Sequence, residues 1–365
     1  MKTRFWTRID WPMTAVILAL LAFGVVNIHS ASYIPQEDVY ARFAPKQAFW
    51  IGIGLAGYVF TVFLNYRKLG RLAYPLYFAS LLALAVTLLF PPIRGARSWI
   101  PLGVMNVQTS EAAKILIILA LARFLSDRPP ERLVDYVGPA LLLAVPLVLL
   151  LAQPDLGTAV LFGPVAIVML FVRGAKTKHL LILLFVAVQV VPLSYPFLKE
   201  HQKARLRSFV SITNMTEGQA LGESYQGHQS RIAVGAGGLL GRGWGQGTQN
   251  RGGFIPDRHD DFIFSVICEE WGFLGATLVL GLHFLLAFLC LAGADQNRDV
   301  FGRMLAVGIV TLNGCQVLVN TGMTIGLVPI TGLTLPLVSY GGSSLVTSLF
   351  GLGLVMNVKM RPASG

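Results

Sequence analysis

The 365 residues carry a net charge of +11, yet only 13% are Asp, Glu, Lys or Arg, while 54% are hydrophobic and the mean hydropathy is +0.64. These values exclude a chain of soluble domains and mark a multi-span membrane protein. Lys and Arg cluster in short connectors between apolar runs and form no basic face, so the charge reports membrane topology and excludes nucleic acid as a partner. Cys268, Cys290 and Cys315 each lie inside an apolar run without metal-ligand spacing, which leaves no disulfide framework or zinc site.

A hydrocarbon core about 30 Å thick needs roughly 20 apolar helical residues. On that measure, candidate spans lie near residues 11–31, 45–64, 72–90, 109–126, 136–152, 157–173, 178–198, 261–293, 301–326 and 337–357. The first, preceded by Lys2, Arg4 and Arg8, resembles a signal peptide; the spans that follow make it an uncleaved first helix with a cytoplasmic basic flank. Basic clusters at 66–71, 123–132, 173–178, 298–303 and 359–361 all fall on the side of the N-terminus, which predicts an even number of spans and both termini in the cytoplasm. The fold class is therefore all-α: one polytopic membrane domain over residues 1–365 with about ten transmembrane helices and a large extracytoplasmic loop between helices 7 and 8.

That loop, residues 199–260, is long for a membrane protein and so suggests function. It is also basic, through Lys203, Arg205, Arg207, Arg231, Arg242, Arg251 and Arg258, which points to an anionic ligand outside. Within it, residues 229–247 read QSRIAVGAGGLLGRGWGQG. Glycine this dense can bring backbone amides close to a phosphate, or can simply be a flexible linker.

Ionisable residues inside spans are few, and each is a functional candidate. Glu111 and Lys114 are three apart and share one helix face. They are either a mutually neutralising pair or a pair in which Lys114 also faces a substrate cavity. Residues 252–275, GGFIPDRHDDFIFSVICEEWGFLG, run from a polar loop into an apolar helix, so Asp260 and Asp261 sit where water meets a membrane segment. Adjacent helical residues point about 100° apart, so at most one addresses a cavity squarely. An Asp with an ordinary pKa near 4 is ionised at neutral pH and can take a proton from a hydroxyl. Glu269 and Glu270 are expected to make capping contacts or an ion pair with a basic loop residue. His259 is expected to make a plain hydrogen bond, or, with Asp260 and Asp261, to hold a divalent cation such as Mg or Mn. Residues 320–344 interrupt the apolar pattern with Gly, Pro, Thr and Ser, and such backbone near a membrane must be buried in protein or line a watery cavity.

Several blocks in order carry a resemblance over most of the chain: GARSW at 95–99, VQTSEAAK at 107–114, QPDLGT at 153–158, YQGHQSRIAVGAGG at 225–238, PDRHDDFIF at 256–264 and the stretch 329–344. Together they resemble the shape, elongation, division and sporulation (SEDS) family, whose members include RodA, FtsW and SpoVE; the PDRHDDFIF block and short N-terminal tail are closer to the elongation type. The resemblance implies a peptidoglycan glycosyltransferase that polymerises lipid II, leaving undecaprenyl pyrophosphate. It implies Asp261 as the key aspartate, with Glu111 and Lys114 as the intramembrane pair. Arg97, Trp99, Gln153, Gln229, Ser230, Arg231, His259, Asp260, Ser343 and Ser344 follow as substrate-contacting candidates. The implied partners are a class B penicillin-binding protein, elongation-complex membrane proteins and membrane lipids. The sequence departs from the family pattern in having Asp260 where Thr or Ser is usual and Asp257 where Glu is usual. Two rival readings of the same residues are a lipid flippase, in which they line a passage, and a proton-coupled transporter, which would have paired broken helices in two halves; a single interruption is visible, at 325–336.

Overall fold

The structure is a computed structural model that describes residues 8–34, 39–93, 96–101, 106–194, 203, 209, 223–295 and 299–361. Its long helices are α1 (Trp11–Ala31), α2 (Phe43–Phe63), α4 (Ala73–Thr87), α5 (Thr109–Asp127), α6 (Val137–Ala152), α7 (Leu156–Val172), α8 (Thr177–Ser194), α11 (Ile263–Asp295), α12 (Val300–Ile325) and α13 (Gly342–Met360), one for each predicted span. Among the described residues, six helical stretches are long and apolar enough to cross a membrane, and α4, α7 and α8 supply shorter apolar helices. Helix α5 has the length but carries Glu111, Lys114, Arg123 and Asp127. Two short helices, α3 (Tyr66–Arg71) and α10 (Thr248–Arg251), and the amphipathic α9 (Glu223–Ala236) lie between them. The strands are two small antiparallel ribbons: β1 (Tyr33–Ile34) with β2 (Val39–Tyr40), and β3 (Trp99–Pro101) with β4 (Asn106–Gln108).

Local chemistry explains the helix ends. Asp10, Asp155 and Asp299 accept from the backbone N–H of Met13, Thr158 and Phe301, which satisfies donors that a helix N-terminus leaves orphaned. Helix α12 stops at Gly326, which adopts the left-handed conformation that glycine accepts without a steric cost. This helix is the hub of the bundle, packed by α5, α7, α9, α11 and α13.

The first and last helices end together. Lys359, in the last turn of α13, pairs with Asp10 at the start of α1, and Arg8 reaches the Met360 carbonyl at 3.4 Å. Arg67 and Asp299 meet at the same end, at 3.4 Å, and Tyr66 donates to the Arg361 carbonyl.

Helix α11 is not continuous. Gly272 has φ +65° and ψ −158°, which breaks the helical ladder. The Gly-rich segment is inserted there: Arg242 N–H and Gly243 N–H donate to the carbonyls of Glu269 and Glu270, while Phe273 N–H and Leu274 N–H donate to those of Gly238 and Leu239. The break frees backbone groups that would be costly in a membrane, and the inserted loop satisfies them. The segment is thus packed structure and not a flexible linker, and its Arg242 and Gly243 amides are committed to α11.

Candidate active site

Asp260 and Asp261 lie in a turn before α11, which starts at Ile263 and not at 261 as the sequence suggests. Both are half-buried, and the turn is held from above by the loop 327–341 that joins α12 to α13. Asn320, fully buried in α12, donates its amide to the Asp261 carbonyl at 2.8 Å and to the Leu333 carbonyl at 2.6 Å. Ser339 donates to the Asp260 carbonyl at 2.7 Å and accepts from Leu335 N–H at 2.8 Å. The Asp261 carboxylate faces the backbone of Gly332, φ +71°, where a Cβ would stand 3.6 Å from Oδ2.

The loop is strapped from other sides as well. Gln47 of α2 donates to the Ser339 carbonyl at 3.0 Å, and His283 of α11 lies 3.0 Å from that of Pro336. Thr334 and Ser344 hydroxyls meet at 2.8 Å. A Cβ on Gly157, at the start of α7, would stand 2.6 Å from the Thr331 carbonyl, so the QPDLGT block packs directly on the loop.

His259 is taken up by aromatic packing: its ring stacks on Phe43 at 4.0 Å, with Tyr340 at 5.6 Å, and its carbonyl accepts from Tyr340 N–H. Among the described residues no group of three or more His, Cys, Asp or Glu side chains gathers as a metal site, so the expected His259, Asp260 and Asp261 cation cluster does not form. Arg258 anchors the turn to the end of α1 and to β1 by donating to the carbonyls of Ala31 and Tyr33. Burial lowers its guanidinium pKa, although an arginine keeps its charge.

The second group of candidate residues lies in the first turns of α5. Lys114 Nζ is 2.8 Å from Glu111 Oε2, with 1% and 7% of the side chains exposed. The contact is an ion pair whose angles leave the ammonium without a directed hydrogen bond. Beside the start of α5, Ser98 accepts from Thr109 N–H through its carbonyl, and Gln108 N–H donates to the Ser343 hydroxyl at 3.2 Å. Trp99 pairs with Gln108 in the β3–β4 ribbon. Gln153 is buried, donates to Leu84 O and Thr87 Oγ1, and accepts Arg97 N–H through its carbonyl; the exposed Arg97 guanidinium donates to the Leu88 carbonyl.

On the third side, α9 carries Gln229, Ser230 and Arg231 against α11 and α12. Ser230 donates to the Thr324 carbonyl at 2.9 Å, and a Cβ on Gly326 would touch Arg231 Cδ. Ser230 and Ser344 are therefore structural ties.

Lys114 Nζ, Ser98 Oγ, Ser110 Oγ, Gln153 Oε1, Asp155 Oδ2, Arg231 Nε and Asn320 Oδ1 are buried without a hydrogen-bond partner among the described residues. Each such atom costs roughly 1–3 kcal/mol unless something else pairs it. Similar atoms occur elsewhere among the described residues, at Arg303, Gln316 and Asn357 among others, and Lys114 keeps its ion pair with Glu111.

Sequence reading missed Asn320, Ser339 and Asp155. The signal for Asn320 was present, an amide inside an apolar span, but a survey of charged residues passes over it. Glu269 and Glu270 behave as capping groups. Glu269 accepts from Gln249 N–H at 2.8 Å, Asn250 N–H at 3.1 Å and Thr248 Oγ1 at 3.2 Å, and Glu270 accepts from Ser30 and Asn250. Arg205 and Arg207 lie outside the described residues.

The fold and site define a polytopic α-helical membrane protein with a carboxylate turn strapped by a loop and a buried Lys–Glu pair on α5. The chain belongs to the FtsW/RodA/SpoVE family of cell cycle proteins, whose profile matches residues 11–363. It is 35% identical over 362 residues to the peptidoglycan glycosyltransferase MrdB of Escherichia coli K12, covering 98% of this chain and 95% of that protein. A chain from a solved peptidoglycan synthase complex, which coordinates polymerisation and crosslinking, superposes with a TM-score of 0.82 at 39% identity, covering 96% of this chain and 97% of that one. The Thermus thermophilus rod shape determining protein RodA gives a TM-score of 0.73 at 36% identity, covering 98% of both chains.

Proposed function

We propose that this chain is a peptidoglycan glycosyltransferase that polymerises lipid II at the outer face of the bacterial cytoplasmic membrane during cell elongation. The observation that carries the reading is a carboxylate held in a fixed turn by Asn320 and Ser339, with a buried Lys114–Glu111 pair on α5. Sugar transfer from a lipid pyrophosphate needs these two parts, a base for the acceptor and a positive site for the leaving group.

Asp261 takes the proton from the acceptor 4-hydroxyl as that oxygen attacks the anomeric carbon. The bond from the anomeric carbon to the pyrophosphate oxygen breaks, and undecaprenyl pyrophosphate leaves with the electron pair. An α-linked donor then gives a β-linked strand in one inverting displacement, with one base and no covalent intermediate. Lys114, oriented by Glu111, and Arg231 stabilise the pyrophosphate; Arg97, Trp99, Gln153, Gln229 and Ser343 belong to the surrounding substrate contacts. Asp260 and His259 contribute by shaping the turn. A divalent cation, Mg or Mn, would arrive with the pyrophosphate, and no step here runs through it.

The names of relatives favour a polymerase over a flippase for these residues. A class B penicillin-binding protein and elongation-complex membrane proteins are the proposed partners, supported by the synthase-complex likeness. Cytoplasmic placement of both termini is supported by the basic residues gathered at the end where Asp10 meets Lys359. The deciding experiment is incubation of the purified protein with lipid II in detergent, where leaflets do not exist. A polymerase lengthens glycan chains there; unaltered lipid II would refute the reading.

A further inference from the structure

Asn320 ties the base-bearing turn directly to the 327–341 loop through its side chain, as Ser339 does one residue earlier, at Asp260. Its amide orientation is fixed by chemistry: both neighbours, Asp261 O and Leu333 O, are carbonyl acceptors, so only the NH2 group can face them. Both protons of that group are used at 2.8 Å and 2.6 Å, and the residue is fully buried. The two carbonyls belong to the two segments that define where the Asp261 carboxylate stands. One is the peptide carrying the side chain; the other follows Gly332, the residue the carboxylate faces. Other straps hold one segment each: Gln47 and His283 touch the loop, and Arg258 ties the turn to α1. Ser339 joins the loop to the Asp260 carbonyl, one peptide before the one that Asn320 holds.

We propose that Asn320 is a positioning residue for the base: its carboxamide bridges the Asp261 peptide to the Leu333 peptide and so fixes the distance and angle between the carboxylate and the acceptor hydroxyl. The inference rests on Asp261 being the base. Asn320 touches neither substrate nor reacting atoms in this role, so its loss changes the rate of proton removal more than it changes lipid II binding. A displacement on the order of 1 Å at a catalytic group can cost about a hundredfold in rate.

The test uses the full-length protein in detergent with lipid II and three variants. Asn320→Leu keeps the approximate volume and removes both donors; kcat should fall about 10-fold to 100-fold with KM within about twofold of wild type. Asn320→Asp is nearly isosteric, and a carboxyl donates only when protonated. Its kcat should therefore drop with rising pH across a range where the wild-type profile is flat, with one bond restored at the acid end. Thermal unfolding of each variant separates folding from rate, and Asn320→Asp at low pH serves as the folded control if Asn320→Leu does not accumulate. Wild-type kcat in folded Asn320→Leu, a rise in KM alone, or an Asn320→Asp pH profile parallel to wild type would overturn the proposal. Asp261→Asn, run alongside, separates the two readings. If it retains activity the base assignment fails; if it is inactive while Asn320→Leu is fully active, only the positioning role fails.

Discussion

Lys114 and Glu111 offer a way to separate folding from function in one pair of residues. The ammonium and carboxylate are 2.8 Å apart with 1% and 7% of their side chains exposed, so neither can turn to water if the other is removed. Glu111→Gln leaves an uncompensated buried ammonium, and breaking a buried pair this way costs about 3–5 kcal/mol. Lys114→Met should also destabilise, because it leaves the buried Glu111 carboxylate without its partner. The double variant removes both charges, and replacement of a buried pair by uncharged groups of similar volume is often neutral, so its stability should lie within about 1 kcal/mol of wild type. Coupling between the sites then amounts to about 2 kcal/mol or more. Unfolding in mixed micelles by titration with a denaturing detergent reads stability; lipid II polymerisation reads function. If Lys114 also binds pyrophosphate, the double variant is stable yet polymerises at under a tenth of the wild-type rate. A double variant as unstable as Glu111→Gln would refute the pairing argument. One that is stable and fully active would reduce the pair to an insertion device.

Other consequences follow from the broken helix. Gly272→Ala places a Cβ 2.3 Å from Gly241 N and 2.6 Å from the Leu239 carbonyl at a positive φ, so little folded protein should be recovered by size-exclusion chromatography. In the same helix, Gly281 has nothing within 4 Å of the corresponding Cβ, and Gly281→Ala should be neutral or stabilising by up to about 1 kcal/mol. Glu269→Ala orphans the N–H groups of Gln249 and Asn250; at roughly 1–3 kcal/mol each, unfolding should be easier by about 2 kcal/mol or more, and Glu269→Gln should lie between it and wild type.

The helical bundle is legible because a membrane reduces the code to apolar length and basic connectors; all ten predicted spans correspond to helices. Spacing alone brought Glu111 and Lys114 together, since residues three apart on a helix must share a face. The start of α11 was misplaced because the apolar run continues into the turn through Phe262, and hydropathy does not record that Asp260 N–H is bonded back to the Asp257 carbonyl. The break at Gly272 was invisible for a related reason. A single glycine inside an apolar helix is ordinary in membranes, and only the long-range bonds to Gly238, Leu239, Arg242 and Gly243 distinguish a broken helix from a continuous one. The same bonds gave the Gly-rich stretch its role, which composition alone left open. Asn320 required the fold itself, because its partners lie 59 and 13 residues away.

The central claim is that Asp261, and not its neighbour Asp260, removes the acceptor proton. Strand formation from lipid II in detergent by Asp261→Asn and Asp260→Asn, each shown to unfold like wild type, tests it directly. The account predicts no polymer from Asp261→Asn and substantial polymer from Asp260→Asn, whose backbone carbonyl is still held by Ser339. Polymer from folded Asp261→Asn at the wild-type rate would contradict it.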